Sequence, residues 1–351
     1  MRRDNDIKFM KRALELASNA EGSTRPNPMV GAVIVHNNSI IGEGYHVKAG
    51  EDHAEVIAIN SAPPHLLKDS TIYVSLEPCS HFGRTPPCAN MIVEKGIRRV
   101  VIGARDTSSK VSGRGIEILR KGGCDVELGI LEDKCRDLNR RFFTFHEKGR
   151  PYIVLKWAES KDGFLDRDCE RPDLSGPNWI TGADEKVLVH KWRTQEHSIL
   201  VGKKTLIKDN PLLTARLWKG INPLRIVISN LGALPDNLNV LSDNKPLLLF
   251  STEKIKLKGN KECILIRNTE RAIEEILSEL VKREIQSVLV EGGASVLAQF
   301  INKNLWDEAR IFKGRDEFGS GIKVPDIQGQ KTGEHLFKTS RLIYLKNRLI
   351  I

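Results

Sequence analysis

Two thiols bracket a polar loop in the stretch SLEPCSHFGRTPPC, with Cys79 near its start and Cys88 at its end. Eight residues separate them, too many for a zinc knuckle of the Cys-x-x-Cys kind. In a reducing compartment, such a pair in a cysteine-poor chain reads as metal ligands or catalytic groups rather than a disulfide. Catalytic zinc uses about three protein ligands and keeps one position open for water. His53, in GEDHAEVIA, offers the third ligand from the start of a helix, and Glu55 follows two residues later. Residues two apart on a helix do not share a stripe. Glu55 is therefore poorly placed as a ligand but can flank the open position. A carboxylate there can take a proton from activated water and pass it to a leaving amine. The competing reading is a structural zinc site, which wants a fourth protein ligand; His81 or His46 would provide it.

His-x-Glu followed by Pro-Cys and a later Cys is the pattern of zinc nucleoside and nucleobase deaminases, in which the Glu is general acid/base and not a ligand. The second half of that pattern is ordinarily Pro-Cys-x-x-Cys, and this chain departs from it. With RPNPMVGAVIV and HAE upstream, PCSHFGRTPPC closely resembles the deaminase half of the bifunctional riboflavin-biosynthesis deaminase/reductase family. The resemblance implies an N-terminal cytidine-deaminase-like α/β/α domain, Zn2+ on His53, Cys79 and Cys88, and Glu55 as the proton carrier. It implies loss of the amine at C2 of a diaminopyrimidinone ribosyl phosphate. Asn27, His46 and His81 become candidates for contacting the pyrimidine. Asn27 lies between two prolines, on a chain path with little freedom.

The second half has no strand-linked G-x-G-x-x-G. It has SVLVEGGASVLAQF, an apolar strand running through Glu291-Gly292-Gly293 into a helix. Glycines let backbone N–H groups approach a phosphate, and a helix N-terminus favours negative charge. Taken alone, strand–Gly–Gly–helix turns are common and mostly structural. The order LKWAESKDG, WIT, HKWRTQEHSILVGKKTLIKDNPLLTAR, RIVIS, VEGGASVLAQF resembles the reductase half of the same family. That half implies a dihydrofolate-reductase-like α/β fold, NADPH, and reduction of the sugar at C1′ in its imine form. By position, Ala158, Trp179, Thr205, Asp209 and the segment Gly293, Ala294, Ser295, Val296, Leu297, Ala298 and Gln299 would contact the cofactor. Arg193, Leu213, Arg216 and Glu291 would face the substrate, the two arginines through charge-assisted bonds to a ribose phosphate. FLDRDCERPDLSGPN is longer than the family's connection, so its substrate-contacting Ser aligns with Pro177 or Ser175. Another family Ser aligns near Asn230.

These residues need a frame. MVGAVIVHNN and SIIGEGYH read as a hairpin turning at Asn37-Asn38. HAEVIAINSA, CANMIVEKG and GIEILRKGG read as helices, and STIYVSL, RRVVIGA and CDVELG as strands. LEDKCRDLNRRFFTFHEKG reads as one long helix stopped at Gly149, and Arg150-Pro151 marks the boundary. Residues 1–149 would form the deaminase domain and 150–351 the reductase domain. The second begins with the strand PYIVLKWAES and the helix DEKVLVHKWRTQE. SILVG, PLRIVIS, PLLLF, CILIR, SVLVEGG, EARIFKG and LIYLKNRLII are its further strands, and RAIEEILSELVKREI a second helix. Both halves are α/β.

The net charge of +10 raises nucleic acid as a partner. The excess is thin, with 22 basic and 19 acidic residues in 1–149 and 33 and 26 beyond. Only EKIKLKGNK is dense, and its alternation suits the wet face of an edge strand; no aromatics interleave to stack bases. A phosphorylated small molecule accounts for the charge as well. The rival function is an RNA-acting deaminase with a basic binding module. No apolar run approaches the ~20 residues that span a bilayer, and the charged N-terminus lacks the apolar core of a secretory signal. A cytoplasmic enzyme is expected, with no membrane partner. The sequence is compatible with a homo-oligomer.

Overall fold

The computed structural model describes residues 2–80, 86–108, 112–167, 179–229 and 234–348. His81, Ser175, Pro177 and Asn230 lie outside them. The chain divides into two compact units, Met1–Gly149 and Arg150–Ile351.

The first unit runs α1 (Arg2–Ser18), β1 (Gly31–His36), β2 (Ser39–Tyr45), α2 (Ala54–Ser61), β3 (Thr71–Leu76), α3 (Cys88–Glu94), β4 (Arg99–Ala104), α4 (Arg114–Lys121), β5 (Asp125–Leu128), α5 (Glu132–Leu138) and α6 (Arg140–Lys148). Its sheet has the order β2-β1-β3-β4-β5, antiparallel around β1 and parallel from β3 to β5. The hairpin turns at Asn37 and Asn38, both with φ in the left-handed region that asparagine tolerates. Side chains alternate across the central strands. Ala32, Ile34, Ile72, Val74, Val100 and Ile102 pack under α2, α3 and α4. Val33, Val35, Tyr73 and Val101 pack under α1, α5 and α6. A sheet buried on both faces makes the α/β/α layering expected from the sequence.

The long closing helix is in fact two, broken at Asn139. Asn139 Oδ1 accepts the Met29 N–H and Nδ2 donates to the Met29 carbonyl, both at 2.8 Å. That buried pairing fixes the side chain at the break, and it anchors the segment that carries Asn27.

The second unit runs β6 (Tyr152–Glu159), β7 (Phe164–Asp166), α7 (Ala183–Gln195), β8 (Ser198–Gly202), α8 (Lys203–Asp209), β9 (Leu224–Ser229), α9 (Asn239–Ser242), β10 (Leu247–Ser251), β11 (Lys261–Leu265), α10 (Ala272–Lys282), β12 (Ser287–Val290), α11 (Ala294–Asn302), β13 (Glu308–Gly314), β14 (Ile322–Lys323), β15 (Gln330–Leu336) and β16 (Ser340–Lys346). Nine strands form one sheet, ordered β11-β10-β9-β8-β12-β6-β13-β16-β15. It is parallel from β11 to β13 and antiparallel at β16 and β15. Helices α10 and α11 cover one face, and α7, α8 and α9 the other. The edge strand β15 has no apolar alternation, because nearly all its residues are exposed. The lysines of EKIKLKGNK lie mainly in coil, and only Lys261 enters β11. Their alternation comes from Ile255 and Leu257 packing on the core without a strand ladder.

Candidate active sites

In the first unit the parts converge where β3 ends and two helices begin. His53 occupies the N-cap of α2 and Glu55 its first turn, while Cys88 opens α3. Cys79 follows β3 by three residues. His53 Nδ1 lies 3.5 Å from Cys79 Sγ and 3.3 Å from Cys88 Sγ. All three donor atoms lie within 4.8 Å of one another, and no other such cluster occurs among the described residues. Zinc bonds of about 2.3 Å to sulfur and about 2.0–2.1 Å to nitrogen at a tetrahedral angle set S and N about 3.5 Å apart. The donor set therefore fits the ion.

The electrostatics agree. The hydrogen bond from Cys88 pushes the Cys79 pKa down to about 4, against burial and with help from His53. Cys88 is pushed up, chiefly by Cys79. The bond to Cys79 raises His53 to about 9. The Cys88 thiol and the His53 imidazolium thus turn their protons toward the Cys79 thiolate, in the space a cation would take. Glu55 is 3% exposed and hydrogen-bonded to Cys88. Burial, then the Cys79 charge, raises its pKa to about 7, poised to accept and release a proton near neutrality.

His46 is edge-on to His53, with ring centroids 5.4 Å apart. Its Nδ1 donates to the Asp52 carbonyl at 3.0 Å, and its Nε2 pairs with Asn27 Nδ2 at 3.1 Å. Both ring nitrogens are engaged, so His46 does not serve as a fourth ligand. Asn27 and His46 form one linked pair beside the cluster.

Glu77, which the sequence reading passed over, is 4% exposed. Its carboxylate accepts four backbone N–H groups, from Asp106, Gly113, Gly115 and Ile116, at 3.0–3.2 Å. A Cβ on Gly115 would sit 2.1 Å from the Pro78 carbonyl. Glu77 thereby ties the Pro78-Cys79 segment to the start of α4. The available signal was a carboxylate placed directly before Pro-Cys.

In the second unit the polar groups gather at the carboxyl ends of three neighbouring strands, β8, β12 and β6, where parallel sheets place ligands. Val290 pairs with Leu155, so Glu291 and Lys156 follow side by side. Glu291 accepts two bonds from Arg193, both 2.8 Å, and Lys156 Nζ lies 3.9 Å away. Although burial opposes it, Arg193 and Lys156 hold the Glu291 pKa down to about 2. Burial lowers that of Lys156, opposed by Glu291. Lys156 was not among the expected residues; its signal was a lone cation within an apolar strand.

Arg193 is 9% exposed, and its remaining Nη1 donates to the Thr214 carbonyl at 2.9 Å. Its guanidinium is committed inside the protein, unlike the phosphate ligand expected from the sequence. Arg216 is exposed. The Leu213 side chain is buried in the core, which leaves only its backbone to face a ligand.

Gly292 has φ 117°, a region glycine alone adopts readily, and the Gly292–Gly293 peptide is cis. A Cβ on Gly293 would stand 2.9 Å from Thr205 Oγ1, and one on Gly202 would stand 3.0 Å from the Val296 side chain. The turn thus brings α11 and α8 together with little room between. Within Gly293 to Gln299, Val296 and Leu297 are core residues whose N–H groups donate to the Gly293 carbonyl. Their side chains do not face a ligand; Gly293, Ala294 and the exposed Ser295 begin the helix, with Ala298 and Gln299 a turn later. Ala158 is half-buried on β6, and Thr205 and Asp209 lie on α8. Trp179 is 67% exposed, with Lys186 Nζ 3.4 Å from its ring centre.

Comparison with known proteins follows this division. Residues 3–104 match the cytidine and deoxycytidylate deaminase zinc-binding region, and residues 151–333 match the RibD C-terminal domain. The riboflavin biosynthesis protein RibD of Aquifex aeolicus is 39% identical over 93% of this chain and 92% of its own. That of Escherichia coli is 33% identical over 91% and 90%. A solved Thermotoga maritima diaminohydroxyphosphoribosylaminopyrimidine deaminase/5-amino-6-(5-phosphoribosylamino)uracil reductase is 35% identical, covers 99% of this chain and 100% of its own, and superposes with a TM-score of 0.89. No described helix is long and apolar enough to cross a membrane. The chain belongs to the family of bifunctional riboflavin-biosynthesis deaminase/reductases, with zinc and NADPH as cofactors.

Proposed function

We propose that the two activities divide between the two units, with deamination at His53, Cys79 and Cys88 and reduction at the carboxyl ends of β6, β12 and β8. The substrate is a small phosphorylated pyrimidine rather than nucleic acid, and the reactions take place in the cytosol. Free cysteines throughout the described residues suit that reducing compartment. The observation that carries the reading is the placement of a buried Glu55 against a three-donor cluster whose neighbouring histidine is already engaged.

Bound in these sites, zinc supplies a Lewis acid that makes water nucleophilic near neutral pH, and NADPH supplies hydride. Glu55 takes the proton of the attacking water and returns it to the C2 amine, which leaves as ammonia. Asn27, its amide held by His46, presents a fixed hydrogen-bonding edge to the pyrimidine, and His81 is a further candidate for contacting it. In the second unit Glu291 orients the substrate, itself held by the Arg193 fork. Reduction at C1′ also consumes a proton, and Lys156, its ammonium disfavoured by burial, donates it. Arg216 contacts the ribose phosphate. Gly293, Ala294 and Ser295, with Thr205, Asp209, Ala158 and Trp179, receive the cofactor.

Supplying the diaminopyrimidinone ribosyl phosphate and following ammonia release and NADPH oxidation separately tests the division. Ammonia release should proceed without NADPH. NADPH oxidation should require the deaminated compound. Ammonia release that depends on NADPH would defeat the two-site reading.

A further inference from the structure

Helix α7 grips the segment around Arg216 at two points. Arg193 Nη1 donates to the Thr214 carbonyl at 2.9 Å, and His190 Nδ1 accepts the Leu217 N–H at 3.3 Å. Residues 190 and 193 are three apart on one helix, so both side chains leave the same face. The turn between the two grips closes on itself. Ala215 N–H donates to Asn222 Oδ1 at 2.8 Å, and Trp218 N–H to the Ala215 carbonyl at 3.2 Å. Farther along, Lys191 Nζ lies 5.3 Å from the Trp218 ring centre. A Cβ on Gly220 would strike the Thr194 side chain at 2.7 Å. Arg216 is therefore an exposed side chain on a backbone fastened to α7 on both sides.

We infer that His190 is a positioning residue of the reductase, holding Arg216 in place for the substrate phosphate by accepting the Leu217 N–H. The inference rests on the assignment of Arg216 as the phosphate contact. Only an imidazole unprotonated at Nδ1 can accept there. The charged groups acting on His190 are Arg193, Arg216, Lys156 and Glu291, three cations against one carboxylate. Burial, then Arg193 and Arg216, push its pKa down to about 4. The ring is thus neutral near pH 7, with its proton on Nε2 and the Nδ1 lone pair left for Leu217. A lysine at this position could not accept the bond, and an aliphatic side chain would leave that N–H without it.

Steady-state reduction by the full chain tests this, using the deaminated ribosyl phosphate and the same compound lacking phosphate. His190→Ala should raise KM for the phosphorylated substrate about three- to tenfold, the scale of one lost hydrogen bond. The kcat, the KM for NADPH and the KM for the unphosphorylated compound should stay unchanged. His190→Asn, whose Oδ1 stands near the Nδ1 position, should restore the low KM, while His190→Gln should not. If the alanine variant folds poorly, the Asn and Gln pair carries the test. His190→Ala combined with Arg216→Ala should be no worse than Arg216→Ala alone, because His190 acts through Arg216. Additive losses, equal KM rises for both substrates, or an unchanged KM in His190→Ala would overturn the inference. Were Arg216→Ala itself to leave KM unchanged, the phosphate assignment would fail and take the inference with it. A raised KM in Arg216→Ala with none in His190→Ala would refute the positioning role alone.

Discussion

Around His53, Cys79 and Cys88 the donors face one another within 4.8 Å, and the protons they carry stand where a cation fits. Around Glu291 the protein supplies its own cations, with Arg193 at 2.8 Å and Lys156 at 3.9 Å. The first arrangement is incomplete without an ion, so metal and protein stabilise each other there. The second pairs its carboxylate with cations of the same chain, so those charges hold one another in place and, in the proposed reading, orient a substrate. The same contrast shows in the backbone. The first site hangs on two helix starts and one strand end, the second on three adjacent strand ends and the tight Gly292-Gly293 turn.

The contrast is broken most severely at the proposed metal ligands. His53→Ala, Cys79→Ser and Cys88→Ser should each abolish deamination and lower zinc below the one ion per chain expected of the intact protein, while NADPH oxidation with the deaminated substrate persists. Elemental analysis beside the two assays checks this. Full zinc occupancy in all three would dissolve the proposed ligand set.

Glu55→Gln should keep zinc and lower deamination by about 10²–10⁴-fold, the range of general acid–base catalysis. Rates within a few-fold of the intact chain would remove Glu55 from proton transfer. Loss of both activities in a folded variant would show that the two sites are not independent.

Glu291→Gln should sharpen the other side of the comparison. The Glu291 pKa lies near 2, below its ordinary value of 4.5. Its ionised form therefore adds stability above pH 4.5, and that stability is lost as pH falls from 4.5 through about 2. The shift corresponds to about 3 kcal/mol. Melting of the second unit should lose stability across this window in the intact chain and less so in the variant, with reduction impaired at neutral pH. Identical acid profiles would show that the ion pair contributes no such term.

The smallest effect is expected at the turn. Gly293→Val places a Cβ within 2.9 Å of Thr205 Oγ1 and should weaken NADPH binding about tenfold, with deamination intact. Unchanged NADPH affinity by titration would make the turn purely structural.

Much of the first unit was legible because its signals are local. The His-x-Glu spacing, Pro before Cys, and helix starts at His53 and Cys88 each depend on a few neighbouring residues. Hydrophobic alternation marked the central strands and Asn37-Asn38 the hairpin for the same reason. The reductase residues were reached through resemblance, since they come from segments as far apart as Ala158 and Gln299.

Local patterns misled where a distant partner decides. Asn139 lies in a helical pattern, yet pairing with Met29, 110 residues away, fixes it at a break. Strand β15 has no alternation and forms because β16 offers it a hydrogen-bonding edge. Val296 and Leu297 face the core because α11 packs onto the sheet.

By itself the sequence determined two α/β halves, a His-Cys-Cys cluster with a carboxylate beside it, and a glycine turn before a helix, because composition, period and short spacing carry those properties. Tertiary structure alone decided that His46 is spent on Asp52 and Asn27, that Glu77 gathers four N–H groups behind Cys79, and that Arg193 serves Glu291. The physical reason is that a hydrogen-bonding group declares its donors and acceptors in the sequence, but which partner it meets depends on the packing of elements far apart in the chain.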